Sequence, residues 1–267
     1  QASVPPRVQR FLELIRPIAG RPLDARIVRL DQLDLTGTPR ALLEQIHGQK
    51  AVRLAEMIRL GLPVPAGFSI QADVSASELD GSLPQLVSRL EGLTGRRFGS
   101  ADRPLHLVVR SAPPQSMPGL LETELGVSSF EELLRAVERV RASWDGPNAR
   151  RFRDVRGVAH EGGTPLIIQV MVNSAGRRSG SGVLFTRDVI TGAGRPTGRF
   201  APEAAGDRVV SRSGARVLTL EEMAQLLPEA HRQLEEAGAR LERLHDAAQE
   251  IEFVIDEGGS GSRGLLS

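Results

Sequence analysis

Arg110 closes an apolar run, Leu105 to Ser111, and is followed by Ala, Pro, Pro, Gln and then Ser116-Met-Pro-Gly119. The pattern reads as a buried strand delivering a guanidinium to a loop where backbone N–H groups are left for a ligand. A fixed cation beside such amides suits phosphate; an arginine at a strand end also fits a surface ion pair. A second cation stands out by scarcity. Lysine and arginine together number 34, and Lys50 is the one lysine among them, so a compact ammonium is kept at a single place. Chance placement is the alternative. A third candidate lies in Glu250-Ile-Glu-Phe-Val-Ile255, whose period of two sends Ile251, Phe253 and Ile255 to a core and leaves Glu250 and Glu252 side by side. Adjacent carboxylates repel unless a cation joins them or water screens them. With only oxygen ligands on offer the cation would be Mg²⁺; a solvent-facing edge strand also explains the pattern.

These residues need elements to hold them. Thr38-Pro-Arg40 opens a capped helix running to Ile46, and Val52, Leu54, Ala55 and Ile58 recur at helical spacing before Gly61 stops the segment. Lys50 therefore falls at a helix N-terminus. A phosphate there would meet the ammonium, first-turn amides and the positive end of the helix dipole together. Ala25 to Leu30 alternates as a short strand, and the prolines at 63 and 65 lead a turn into a strand ending at Ile70. One or two short surface helices are expected over 75–98, around Leu83, Leu86, Val87, Leu90 and Leu93. Ser128 to Glu132 is an N-cap signal for a helix to about Trp144, which Asp145-Gly-Pro-Asn148 breaks. Leu166 to Val172 reads as a central strand. A turn over 173–180 and a partner strand from Gly182 to Arg187 follow, then a Gly-rich stretch with short β signals at 199–200 and 209–210. Residues 220–247 read as mostly helical, interrupted by Pro228 and Gly238. Of the five histidines, His47 alone falls near the candidate cations; the others read as structural or exposed.

At 267 residues the chain has length for two lobes, each with its own core. Its formal charge of +1 creates no global field for nucleic acid or a membrane surface, and 3% aromatics argue against base-stacking platforms. Cysteine is absent, which removes thiolate metal sites and thiol catalysis. No apolar run approaches the roughly 20 residues of a membrane span, and no signal-peptide pattern is read at the start, so a cytoplasmic location is expected.

Taken in chain order, Gly48-Gln-Lys-Ala-Val-Arg-Leu-Ala-Glu-Met-Ile-Arg-Leu-Gly-Leu-Pro-Val-Pro-Ala-Gly-Phe68, Val109-Arg-Ser111, Ser116-Met-Pro-Gly-Leu-Leu-Glu-Thr123, Ser143-Trp-Asp145, Gly180-Ser-Gly-Val-Leu-Phe-Thr-Arg187 and Glu250-Ile-Glu-Phe253 resemble the N-terminal nucleotide-binding domain of pyruvate phosphate dikinase. Phosphoenolpyruvate synthases share fewer of these details. The resemblance implies an α+β, ATP-grasp-like fold in which two lobes with mixed β-sheets clamp ATP. It divides the chain into an N-terminal arm at 1–24, a first lobe at 25–172 with Lys50 and Arg110, and a second lobe at 173–267 with Glu250 and Glu252. It implies that Lys50 and Arg110 are phosphate ligands that act in catalysis, that Ser116 to Gly119 covers the phosphates, that Glu250 and Glu252 hold Mg²⁺ and nucleotide, and that Leu166 to Val172 supplies the adenine-side hinge. In the family this domain passes the β-phosphoryl of ATP to a histidine on a swivelling domain, by positioning and charge neutralisation. A pyruvate- or phosphoenolpyruvate-binding domain completes the reaction. These two domains are the partners implied, in the same chain or in another.

The chain also departs from the family pattern. Gly-Gly-Lys is Gly48-Gln-Lys50, Arg-Ser-Gly-Ala-Arg is Arg110-Ser-Ala-Pro-Pro114, Gly-Glu-Tyr is Gly198-Arg-Phe200, and the first acid of Asp-Ile-Glu is Glu250. A helical insertion after Gly126 is nearly absent. Gly258 to Gly264 resembles a linker or a long hairpin tip, and the sequence ends where a returning strand with Gln-x-Arg is expected, so a trimmed piece of a longer protein is expected. The altered loop and Arg199 leave two alternatives open: a degenerate nucleotide-binding regulatory module, or a dikinase-like kinase for another small-molecule acceptor.

Overall fold

The computed structural model describes residues 26–172, 179–203, 217–256 and 263–266. The N-terminal arm, the turn at 173–178, the β signal at 209–210 and residues 257–262 of the Gly-rich tail lie outside them. The described residues pack as two compact units, one holding those up to Ala55 with Ala66–Met171, the other Glu56–Pro65 with those from Val172 onward.

The first unit is built, in chain order, from β1 (Ile27–Arg29), α1 (Arg40–His47), the part of α2 (Gln49–Arg59) up to Ala55, β2 (Gly67–Ile70), α3 (Ala76–Thr94), β3 (Leu107–Ser111), β4 (Thr123–Val127), α4 (Phe130–Ser143), α5 (Pro147–Arg156) and β5 (Leu166–Val170). Its sheet has the order β1-β2-β5-β3-β4. Side chains alternate across it. Phe68, Ile70, Leu107, Val109, Leu166 and Ile168 enter one core with Leu79, Leu83, Leu86 and Leu90 of α3 and Leu133, Val137 and Val140 of α4. The other face carries Arg110, Ile167 and Ser69 in register on β3, β5 and β2, two polar residues flanking an apolar one. Helices α1 and α2 meet that face: Leu43, Val52 and Ala55 pack with Leu33 and Val28.

Segment 75–98 forms one 19-residue helix, capped by a reciprocal Ser75–Glu78 box, rather than short surface helices. Pro84 lies inside it and is buried, because burying Leu79, Leu83, Leu86, Val87 and Leu90 on the sheet outweighs one missing backbone bond. Asp145 to Asn148 ends one helix but also starts another. Pro147 occupies the first turn of α5, where its missing N–H costs nothing. Helix α5 shows no apolar stripe in the sequence because its buried positions are Ala149 and an arginine, Arg153.

The second unit contains β6 (Gly180–Phe185), β7 (Thr197–Pro202), β8 (Leu218–Thr219), α6 (Leu220–Leu226), α7 (Pro228–His245), β9 (Glu250–Ile255) and β10 (Arg263–Leu266), with sheet order β10-β9-β6-β7-β8. The interruption at Pro228 separates α6 from α7. Gly238 does not break α7; it is a close-packing point, where a Cβ would stand 3.0 Å from Thr186 Cγ2 and 3.3 Å from Leu184 Cδ2. Strand β10 returns along β9, pairing Arg263 with Ile255 and Leu266 with Glu252, so Arg263 and Gly264 of the expected linker are strand.

The expectation of mixed sheets is corrected: every pairing between these strands is antiparallel. In the first unit the helical crossover α3 joins β2 to β3, which run the same way, but β5 is inserted between them in the opposite direction. A strand–helix–strand pattern in sequence does not reveal such an insertion.

Gly182 pairs across both neighbours, with Phe200 on β7 and Phe253 on β9. The two rings stack over the gap it leaves, 6.2 Å apart at 9°. A Cβ there would lie 2.3 Å from Phe253 Cζ and 2.4 Å from the Arg199 carbonyl oxygen. Gly182→Ala is expected to destabilise the protein by about 1–3 kcal/mol, measured by denaturant unfolding.

Candidate functional site

In the first unit, the segments that carry Lys50 and Arg110 meet by backbone contact. Gly48 is the one-residue joint between α1 and α2, at φ 83° and ψ 152°. A Cβ on it would fall 1.7 Å from the carbonyl oxygen of Ala112, two residues beyond Arg110. The next residue confirms the seat: Gln49 N–H donates to Pro113 O at 3.2 Å. That loop is in turn tied to the start of β5 by Ala112 N–H to Pro165 O at 2.8 Å. The start of the lysine-bearing helix therefore rests on the loop that leaves the arginine-bearing strand. One expectation is modified here. The amide of Gln49, in the first turn of α2, is committed to Pro113, so it is not left for a ligand.

Arg110 is 7% exposed on the face of the sheet met by α1 and α2, while Lys50 is half-buried in the first turn of α2. His47, the last residue of α1, is buried. Its Nδ1 is 3.0 Å from Ser69 Oγ, and its Nε2 is 3.4 Å from Gln71 Nε2. Both contacts are satisfied by neutral imidazole carrying its proton on Nδ1, donating to Ser69 and accepting from the Gln71 amide. Burial lowers the His47 pKa below its ordinary value, in keeping with the neutral form.

Ser116 and Gly119 are exposed, with Met117 between them buried at 6%. Gly119 takes φ 68° in a turn closed by Leu120 N–H to Met117 O at 3.2 Å. Met117 packs with Trp144 and Ala149, flanked by Leu120, Leu121 and Phe152. Under the indole lies Arg153, 0% exposed, its guanidinium carbon 3.9 Å from the ring centroid. Burial lowers its pKa, with Asp145 and Asp154 opposing. Neither the bed nor Arg153 is marked by an apolar repeat, and both were missed in the sequence. The signal available was Trp144, the only tryptophan, in a segment already matched to a family.

Glu250 and Glu252 lie in the second unit on the exposed face of β9, with Ile251 and Phe253 buried on the other. Arg199 shares that face. Register places Arg199 opposite Val183, and Val183 opposite Glu252, so Arg199 and Glu252 are two strand spacings, about 10 Å, apart at the backbone. Among the described residues no group of three or more His, Asp and Glu is placed to hold a metal. Two carboxylates on one strand face still match Mg²⁺ in chemistry, since that ion is commonly held by one or two carboxylates with substrate phosphates and water. A cavity of about 150 Å³ in the same unit is lined by Leu62, Pro63, Leu234, Arg240 and Val254 among others, and by none of the candidate residues. No helix among the described residues is long and apolar enough to cross a membrane.

Residues 69–212 match the family described as pyruvate phosphate dikinase, AMP/ATP-binding domain. Among similar proteins, pyruvate, phosphate dikinase of Clostridium symbiosum is 25% identical over 321 aligned positions, covering 82% of this chain and 36% of that protein. The corresponding protein of Rhizobium meliloti is 27% identical over 79% of this chain and 36% of its own length. The chain thus spans just over a third of the curated relatives it matches. An alignment of 321 positions exceeds the 267 residues available, so the relative carries segments without a counterpart here. Among solved structures, D-alanyl-alanine synthetase A from Vibrio cholerae aligns at TM-score 0.45 and 16% identity, over 85% of this chain and 56% of that one. D-cycloserine synthetase DcsG aligns at TM-score 0.45 and 17% identity, over 86% and 64%.

Two outcomes are expected. Gly48→Ala forces the Ala112 carbonyl away and strains a positive φ, so unfolding in denaturant should show a loss of about 2 kcal/mol or more. The unfolded chain takes a proton on His47 near its ordinary value of 6.5, before the native state does. Native stability should therefore fall as pH drops below about 6.5, until the lower native pKa is passed, and His47→Gln should flatten that part of the pH profile.

Proposed function

Because the chain belongs to the pyruvate phosphate dikinase AMP/ATP-binding domain family, we propose that it binds Mg-ATP and hands a phosphoryl group to a histidine on another domain or protein. The observation that carries the reading is the contact between Gly48 and Ala112. It joins two independent elements, one carrying the only lysine of the chain and the other a buried arginine, which supports a site for a polyanionic ligand.

In this reading Lys50 and Arg110 neutralise and orient the phosphate chain from the first unit, and Ser116 and Gly119 offer exposed hydroxyl and amide donors to it. Glu250 and Glu252 would hold the Mg²⁺, which when bound neutralises phosphate charge. Neither Lys50 nor Arg110 needs to form a bond to phosphorus; rigid placement of charge is their contribution. His47, held neutral and bonded to Ser69, supports the joint before Gly48 and is not the acceptor. The acceptor and the pyruvate- or phosphoenolpyruvate-binding domain belong to segments of the kind that make up the remaining length of the relatives.

A second reading, a nucleotide-binding regulatory module without transfer, is favoured by Arg199, whose charge offsets the acidic pair on the same sheet face.

Calorimetric titration with ATP, with and without Mg²⁺, tests the binding. Lys50→Ala and Arg110→Ala should each cost about 1.5–3 kcal/mol, roughly 10- to 150-fold in affinity. Unchanged affinity in both variants would refute the site. Adding an isolated dikinase phosphohistidine domain with ATP labelled in the β-phosphate should then yield an acid-labile label on that domain; binding without label transfer selects the regulatory module.

A further inference from the structure

The loop from Ser116 to Gly119 is exposed at both ends and buried in the middle. An exposed loop tip ordinarily gains little from burying one side chain, yet this one ends in a bed with its own internal bonding. Trp144 Nε1–H donates to His160 O at 2.9 Å. Arg153 donates through Nη1 to Trp144 O at 2.6 Å, and its Nη2 stands 3.3 Å from His160 Nδ1. His160 Nε2 lies 2.8 Å from Asp154 Oδ1, so an imidazole protonated on Nε2 accepts from Arg153 and donates to Asp154. The guanidinium is stacked on the indole that carries Met117. The far end of the loop is pinned as well, by Glu122 N–H to Ser143 Oγ at 3.1 Å. A fully buried arginine is costly to keep, and nothing in the sheet core requires this one.

We infer that Trp144 and Arg153 are positioning residues: they fix the loop at Met117 so that Ser116 and Gly119 are held at a set height to meet the terminal phosphates of a nucleotide. The inference rests on the phosphate-covering role proposed above. Its chemistry is that of a rigid mount. In the loop the bed packs against Met117 and its apolar neighbours, and the donors proposed for phosphate are the exposed residues on either side of Met117.

The test compares ATP with AMP, which lacks the terminal phosphates, by calorimetry in Mg²⁺ on the wild type and on Met117→Ala, Met117→Leu and Arg153→Lys, with amide hydrogen exchange over 116–121 and thermal unfolding. Met117→Ala should weaken ATP about tenfold or more and AMP less than about twofold, as misplacement of a positioned group does, and should speed exchange in the loop. Met117→Leu, which refills the bed, should restore both. Arg153→Lys, which keeps the charge and loses the planar fork, should shift ATP and loop exchange in the same direction as Met117→Ala. Equal losses for ATP and AMP, or unchanged ATP affinity with a faster-exchanging loop, would overturn the inference. An Arg153→Lys effect confined to thermal unfolding would do the same for that residue. Should the wild type bind neither nucleotide, the proposed function fails on its own. The mount is then decided by exchange alone: faster exchange confined to 116–121 in Met117→Ala and Arg153→Lys upholds it, and unchanged exchange overturns it.

Discussion

Two backbones that touch, Gly48 against the carbonyl of Ala112, set the terms for the first unit's candidate site. With a side chain at 48, the start of α2 would be pushed off the loop leaving β3, and the bond from Gln49 to Pro113 would go with it. Lys50 and Arg110 come from elements separated by about sixty residues. The approach of these two segments depends on the absence of one methyl group. The contact is economical because it uses peptide atoms, which are stiff, to place side chains, which are not.

In both units one face of the sheet is packed with apolar side chains and the other carries charged groups. In the first, period-two alternation sends Phe68, Val109 and Ile168 into the helix-covered core and leaves Arg110 and Ser69 on the side met by α1 and α2. Burying a guanidinium there is tolerated on a surface already lined with polar groups, such as Ser69, Gln169 and His47. In the second, Phe200 and Phe253 stack beneath Gly182, and the opposite face presents Glu250, Glu252 and Arg199. Alternation makes these arrangements rigid. A side chain cannot change faces without slipping the strand register by one residue, which would turn the core outward.

The Met117 bed shows a different use of buried charge. Among the described residues Arg153 has no direct carboxylate partner; it is held by a main-chain carbonyl, an imidazole and an indole face. Contacts of that kind restrict the orientation of a planar cation, although the buried Nε of Arg153 has no hydrogen-bond partner among the described residues.

How much of this was legible in the sequence follows from the range of each interaction. Alternation in Glu250 to Phe253, the helix start beside Lys50, and the strand ending at Arg110 are local patterns, set by dihedral preferences and burial over a few residues, and they could be read directly. Chemical type was equally local: one lysine, a strand-end arginine and an acidic pair with only oxygen ligands named phosphate and Mg²⁺ as the matching chemistry. The insertion of β5 between β2 and β3, the approach of Gly48 to Ala112, the return of β10 along β9, and the stacking of Arg153 on Trp144 were decided by tertiary structure. Each joins residues through pairing or packing, and no periodicity in the chain records which partner a strand edge or a buried cation will find. The sequence by itself determined which groups were available and which local elements carry them; packing decided their neighbours, because partner choice depends on the shape of the whole unit and not on any one segment.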